Sequence, residues 1–482
     1  MLGIDLGTSG VKICLINDQG TSSLVTKSEY PTLGTENGFF EQRPQDWIRA
    51  IADAANMIIS PQIGEKICAV GFSAQMPTLV VSTPDGIPLY NAIVWRDPRA
   101  EKQGEDLLKL WGEDRHYRRT GTVLDGRYII PMARWLSEYS DVDFSKDHLL
   151  LSAKDYLCLR FTGNAVTDPS TASGYGVFSI QDGRWDPELC AEARLDLKHL
   201  PLIKNSYAAA GFLNEEMAGL LNLRPGIPVI TGCADSVSGT LGMGALKSGA
   251  VCQMWGSSTA VILITEKPVY SPEKHFFITP LAAPESYGAE ADILSTGIAA
   301  DWFCRLSGVK IFEAARKAPA GCDGLLFYPY LAGGEQGVLW DPGLQGGVLG
   351  LSAHHDLTHI ARGLLEGMCF EIRRCLEAFQ NGGCQLSESV CAGPFSREPA
   401  FMQMLSDILS IPCAAVNEEN SSALGAAYIA GIGAGIWNFK DVEMMAAGGG
   451  KPYAPREAEA ALYDSFYGRY IMNTGKMSGV KL

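Results

Sequence analysis

Gly3-Ile4-Asp5-Leu6-Gly7-Thr8-Ser9-Gly10-Val11-Lys12 opens this chain, and Trp255-Gly256-Ser257-Ser258-Thr259-Ala260-Val261 repeats its design about halfway along. Each segment is an apolar strand, a tight turn of glycine and hydroxyl residues, and a second apolar strand, running over Val11 to Ile16 and Ala260 to Ile264. Glycine lets a backbone approach a ligand with no Cβ in the way, so such a turn offers N–H groups and hydroxyls to an anion. One Gly-Thr or Gly-Ser turn is ordinary hairpin chemistry. Two in one chain imply two lobes holding one polyphosphate, with Asp5 placed to handle the accompanying divalent cation.

Composition sets bounds on that reading. A chain of 482 residues has core enough for two or three domains, and 46% hydrophobic with 19% charged residues is a globular balance. The net charge of −15 argues against nucleic acid as a partner, which calls for a basic face. No apolar run approaches the roughly 20 residues that span a bilayer, and no secretory leader is expected ahead of the strand at Leu2. The thirteen cysteines are scattered without a Cys-x-x-Cys pair and read as small buried hydrophobes of a cytoplasmic protein. His355 and His359 share a helix face but lack a third ligand, and read as a polar helix start with Asp356 as N-cap or first-turn acid.

Strands and helices alternate in the first half. Ile67 to Ser73, Thr78 to Ser82 and Pro228 to Gly232 read as strands. Trp47, Ile48, Ile51, Ala55 and Ile58 mark a helix over Asp46 to Ile59. The second half repeats the plan. A long amphipathic helix carries Ile360, Leu364, Met368, Ile372, Leu376 and Phe379 and stops at Asn381-Gly382-Gly383. Next come the strand Ser389 to Cys391, a turn at Ala392-Gly393-Pro394, and helices at Phe401 to Leu409 and Gly425 to Gly435. This predicts an α/β protein of two similar lobes with a central cleft, residues 1–243 and 244–482, joined near Gly242 to Gly249.

Phosphoryl transfer needs positioned phosphates, a cation and a base for the acceptor hydroxyl. Asp235, at the carboxyl end of the Pro228 strand, is the candidate base. Its residue type and place fit a helix-capping carboxylate equally well, and sequence physics alone leaves both open. Asp5 would bind or orient Mg²⁺ through water.

Beyond these local readings, the chain resembles the FGGY carbohydrate kinases, which share the two-lobed actin-like ATPase (ribonuclease H-like) fold, and within them is most similar to xylulokinases. The likeness runs in order through residues 3–12, Ala74-Gln75-Met76, Trp95-Arg96-Asp97-Pro98-Arg99, Pro131 to Leu136, Lys154-Asp155-Tyr156-Leu157 and Gly232-Cys233-Ala234-Asp235. It continues through Trp255-Gly256-Ser257-Ser258, Tyr328-Pro329-Tyr330-Leu331, Gly346 to Leu351 and Ala361 to Gly367. The resemblance implies ATP and Mg²⁺, Asp235 as base, Asp5 at the metal, and Thr8, Ser9, Lys12, Gly256, Ser257 and Ser258 at phosphates. It implies Gly297, Asp301 and Gly393 at the nucleotide, and Gln75, Met76, Pro77, Trp95, Asp97 and Ser236 around a sugar or polyol. It places the sugar and the first phosphate hairpin in the N-terminal lobe, the nucleotide in the C-terminal lobe, and is compatible with a homodimer.

Four departures bear on the sugar. Pro77 stands where xylulokinases have His, and Ser236 where they have Asn. Gly334-Glu335-Gln336-Gly337 lacks the family's Arg, and Gly393-Pro394 replaces a run of glycines, removing one N–H and fixing φ. A pocket that loses polar partners discriminates against the substrate that used them. Two further readings of the same fold are an actin- or chaperone-like ATPase and a catalytically weak sugar sensor; ATP turnover stimulated by sugars separates both from a kinase.

Overall fold

The computed structural model describes residues 1–34, 37–416, 420–446 and 450–477. The chain divides into two compact units. The first comprises Met1–Gly244, Ile278–Tyr287 and Asn420–Ala446; the second comprises Ala245–Phe277, Gly288–Glu419 and Ala447–Leu482. The packing thus departs from a single cut after residue 243, because two later segments fold with the first unit.

The helix Ser421–Gly433 shows why. Its glycine content suits backbone-to-backbone packing, and it lies against the helix Asp235–Gly242 and the strands Leu2–Leu6 and Val70–Ala74. A Cβ on Gly425 would stand 1.8 Å from the Ser238 carbonyl, and one on Gly242 would stand 1.9 Å from that of Ser421. Neither position admits a larger residue without parting the two helices.

The first unit's main sheet runs in the order Ala209–Phe212, Pro228–Ala234, Val70–Ala74, Leu2–Leu6, Gly10–Ile16, Ser22–Glu29. Leu2–Leu6, Val70–Ala74 and Pro228–Ala234 are parallel, and the outer pairs are antiparallel. In the second unit Tyr287–Ile293, Thr259–Thr265, Ala250–Trp255, Glu388–Ala392, Cys413–Ala415 and Lys451–Tyr453 lie side by side in that order. Ala250–Trp255 again pairs antiparallel with the strand after its turn and parallel with the next, Glu388–Ala392, which pairs parallel with Cys413–Ala415. The hairpin duplication read from sequence is therefore a duplication of mixed sheets.

A smaller sheet in the first unit orders Leu33–Gly34, Phe40–Gln42, Ala92–Val94, Thr78–Ser82 and Leu149–Leu151. Apolar cores back the sheets, around Ile4, Val11, Trp47, Phe72 and Phe161 in the first unit and Val251, Phe303, Met368 and Phe379 in the second. The expected helix over Asp46 to Ile59 spans Pro44–Ile58. The long helix spans Leu357–Asn381, capped by Asp356, whose carboxylate accepts from Thr358 N and His359 N. His359 closes that cap with its own ring nitrogen, and His355 Nε2 lies 3.1 Å from the Cys322 carbonyl. Among the described residues no helix is long and apolar enough to cross a membrane.

Candidate active site

Three parallel strands of the first unit finish level with one another: Leu6 is paired with Ala74, and Ala74 with Ala234. Each strand leads straight into a candidate segment, namely the Gly7–Gly10 turn, Gln75-Met76-Pro77, and Asp235. Ligands in open α/β sheets bind beyond the carboxyl ends of such strands.

Asp235 is the first residue of the helix Asp235–Gly242, which begins directly after the strand Pro228–Ala234. Half-buried, it accepts from Ser236 N at Oδ1 (2.9 Å), and its carbonyl receives the Ser422 hydroxyl (3.1 Å). Its carboxylate is thus a first-turn acid, favoured by the helix dipole, at a strand end. Ser236 sits beside it, also half-buried.

Asp5 is 6% exposed, accepts from Ser73 Oγ at 2.9 Å, and lies directly across the ladder from Lys12. Burial holds its carboxyl above the usual carboxylate range, with Lys12 and the Ser73 hydroxyl pulling the other way. A cation at this carboxylate would relieve that desolvation. Among the described residues no group of three or more His, Cys, Asp or Glu could hold a metal.

The first turn is pinned by side chains. Gly7 N donates to Gly10 O (3.0 Å), and Tyr30 donates its hydroxyl to Gly7 O and its N–H to Ser9 O. Gln42, fully buried, donates to Thr8 O (2.7 Å) and Thr32 Oγ1 (2.8 Å) while accepting from Trp47 Nε1 (3.0 Å) and Gln75 Nε2 (2.7 Å). Trp95 Nε1 donates to the Thr8 hydroxyl at 3.1 Å. Nothing in the spacing of Tyr30 or Gln42 announces these roles; only the small sheet, which carries Gln42 beside the turn, does so.

That sheet also assembles the sugar candidates. Thr78 pairs with Val94, so Pro77 and Trp95, one residue beyond each, fall at the same end. Gln75 N donates to Leu6 O, and Gln75 Oε1, buried, has no hydrogen-bond partner among the described residues. Asp97 is differently employed. Its buried carboxylate takes Phe40 N (2.5 Å) and Arg99 through N, Nε and Nη2 (2.9, 2.8 and 2.7 Å), and Arg99 reaches on to Glu41 (2.8 Å). Asp97 therefore braces the strand Phe40–Gln42 and so bears on the site through Gln42.

In the second unit the turn is pinned mainly by backbone, with the Thr296 hydroxyl as a further donor to Gly256 O (3.3 Å). Gly256 N donates to Ser258 O, Gly297 N to Gly256 O (3.0 Å), and Thr296 N and Ile298 N to Ser257 O. These N–H groups open the helix Gly297–Ser307, and a Cβ on Gly297 would lie 2.4 Å from the Gly256 carbonyl. Gly393, at φ +102°, passes so close under Trp255 that a Cβ would come within 2.0 Å of its carbonyl. Gly256, Ser257, Ser258, Gly297 and Gly393 are thus gathered at one strand end, with Asp301 exposed one turn along the helix. A separate cavity of about 270 Å³ in the first unit, bordered by Phe178, Asn205, Tyr207 and Leu281, includes none of the candidate residues.

Two family models match the chain: the N-terminal domain of the FGGY family of carbohydrate kinases over residues 1–242, and its C-terminal domain over residues 252–434. A xylulose kinase of Bacillus subtilis (strain 168) is 29% identical over 455 residues, covering 92% of this chain and 90% of its own. A ligand-bound xylulose kinase from Lactobacillus acidophilus superposes with a TM-score of 0.91 at 25% identity, covering 99% of this chain and 98% of its own. A gluconate kinase from the same organism gives the same TM-score, identity and coverage.

Proposed function

The chain belongs to the FGGY family of carbohydrate kinases, and on that premise we propose that its acceptor is a ketose of the xylulose type or a related polyol, with Asp235 as the base. It is a carbohydrate kinase of the actin-like fold that phosphorylates a sugar with ATP. The observation that carries the site reading is the level ending of three strands, which sets Asp235 beside the Gln75 segment and the Gly7 turn.

In this reading the acceptor hydroxyl loses its proton to Asp235 while its oxygen bonds to the γ-phosphorus, and the bond to the β-phosphate oxygen breaks to leave ADP. Thr8, Ser9 and Lys12 of the first unit bind phosphates. In the second, Gly256, Ser257 and Ser258 do the same, with Gly297, Asp301 and Gly393 at the nucleoside end. Asp5 holds Mg²⁺, which when bound neutralises phosphate charge. Gln75, Met76, Pro77, Trp95 and Ser236 border the sugar, the buried Gln75 Oε1 being an acceptor that a sugar hydroxyl would satisfy, and Asp97 braces them from behind. The relatives' sugars differ, a xylulose and a gluconate; Pro77 offers no side-chain partner, and Ser236 and Gln336 alter the polar groups of the xylulokinase pattern, so a polyol or aldonate stands beside the ketose as acceptor. Thirteen cysteines without a disulfide support a cytoplasmic setting. A homodimer is a further expectation, read by light scattering.

The test is ADP release from Mg-ATP over a panel of ketopentoses, polyols and aldonates, repeated with Asp235→Ala. The expected result is turnover on one of these classes, lowered at least ~10²-fold in the variant. Undiminished turnover in Asp235→Ala refutes the base, and silence across the panel refutes the acceptor class.

A further inference from the structure

The strand that delivers Asp235 is irregular just before it arrives. Ile230 is level with Gly71 and Cys233 with Ser73, so three steps on one strand match two on its neighbour. This is a bulge, the device that re-aims a side chain next to a site. Gly232 makes it possible: its φ is +74°, and a Cβ there would lie 2.0 Å from the Phe72 carbonyl. The ladder is interrupted where the next few residues must be placed most accurately.

A buried ionic cluster grips the strand inside that interruption and just beyond it. Inside, Lys154 Nζ donates to the Thr231 carbonyl at 3.2 Å. Downstream, Ala234 N, the peptide immediately before Asp235, donates to Ser170 Oγ at 3.0 Å. Ser170 donates in turn to Asp168 Oδ2 (2.5 Å), and Asp168 Oδ1 lies 3.3 Å from Lys154 Nζ, which closes the circuit. Asp155 completes it, taking Lys154 at Oδ1 (3.1 Å) and the Tyr175 hydroxyl at Oδ2 (2.7 Å).

None of Lys154, Asp155, Asp168, Ser170 and Tyr175 is more than 1% exposed. Burial opposes the Lys154 charge, and the two carboxylates outweigh it and hold the ammonium above its usual range. Such a cluster adds little stability over apolar side chains of like volume, but its hydrogen bonds tie the strand at two defined backbone atoms. Apolar packing could not grip a carbonyl and an N–H across a bulge.

We infer that Lys154, Asp168 and Ser170 are positioning residues for the reaction, clamping the Ile230–Cys233 bulge so that Asp235 is held where it meets the acceptor hydroxyl. The inference rests on Asp235 acting as the base. Its gentlest probe is Ser170→Ala, which cuts the clamp at one hydroxyl and leaves the Lys154–Asp168 pair in place.

Turnover and KM for the sugar and ATP are measured in four proteins: the parent, Ser170→Ala, Asp235→Ala and the double variant. The expected result is a fall in kcat on the order of 10- to 100-fold for Ser170→Ala with both KM values within about threefold. The same substitution should cost nothing further once Asp235 is gone, because a positioning residue has no effect without the group it positions. An equal loss from Ser170→Ala in both backgrounds marks a merely structural role and overturns the inference, as does an unchanged kcat. Full turnover in Asp235→Ala refutes the base itself, a result legible apart from the Ser170 comparison. Should Ser170→Ala fail to fold, Ser170→Cys keeps a donor at the site and enters the same cycle.

Discussion

The two glycine turns share a strand plan and differ in how they are fastened. The Gly7–Gly10 turn is tied at its carbonyls by the side chains of Tyr30 and Gln42, and at Thr8 by Trp95. The Gly256–Ser258 turn is tied by the N–H groups of Thr296, Gly297 and Ile298 as a helix starts. Duplication preserved the carbonyl-out turn, while the donors facing it came from different parts of each unit. A turn held mainly by side chains is undone by deleting them; a turn held mainly by backbone is undone chiefly by adding bulk.

Gln42→Leu tests the first half of that contrast and should have the largest effect. It strips partners from Thr8 O, Trp47 Nε1 and Gln75 Nε2 around a fully buried side chain. At about 1–3 kcal/mol for each buried group left unpaired, a loss of several kcal/mol in denaturant unfolding is expected. An unchanged midpoint would mean that the side-chain hub does not hold the first turn.

Gly297→Val tests the second half. A Cβ 2.4 Å from the Gly256 carbonyl must push the helix start away from the turn, at about 1–3 kcal/mol of strain. The sharper readout is KM for ATP, which should rise on the order of tenfold or more while sugar binding measured without nucleotide stays as in the parent. Equal losses for both ligands would dissolve the distinction between the units.

The smallest effect concerns pH in the second unit. Glu335 Oε1 accepts from Leu294 N (3.0 Å) and Gln336 N (2.9 Å), joining the glycine-rich connection to the chain leading into Gly297, while Oε2 has no hydrogen-bond partner among the described residues. Burial, with Glu371 nearby, pushes this carboxyl up to about 8. A folded value above the unfolded 4.5 means that the stabilising form is the neutral acid: its contribution is whole below pH 4.5 and is lost as pH rises to about 8. Glu335→Gln copies the neutral acid. It should match the parent's melting temperature at pH 4.5 and exceed it by roughly a few degrees at pH 9. A parallel pair of melting curves at both pH values would show that Glu335 is not held neutral.

Much of this was legible in the sequence because it is local. Glycine and hydroxyl residues between apolar strands specify a turn wherever they fall, the 3.6-residue stripe from Ile360 to Phe379 specifies a helix, and Asp356 before it specifies a cap. Strand order was legible only as class. That Leu6, Ala74 and Ala234 end level depends on pairings between residues up to 160 positions apart, and a bulge at Gly232 shifts the register by one on the way. Asp97 shows the limit from the other side. The resemblance put it in a sugar-binding segment, yet Arg99 and Phe40 N claim its carboxylate, and no spacing along the chain reveals that.

The amino-acid order by itself determined the two turns, the mixed α/β class and Asp235 at a strand end, since each rests on the steric and hydrogen-bonding habits of a few consecutive residues. Only the tertiary structure decided which groups fasten the turns, that Ser421–Gly433 returns to the first unit, and that a buried lysine grips the strand ahead of Asp235. Those outcomes depend on which distant donors and acceptors burial leaves facing one another, and a buried polar group takes whichever partner the packing brings.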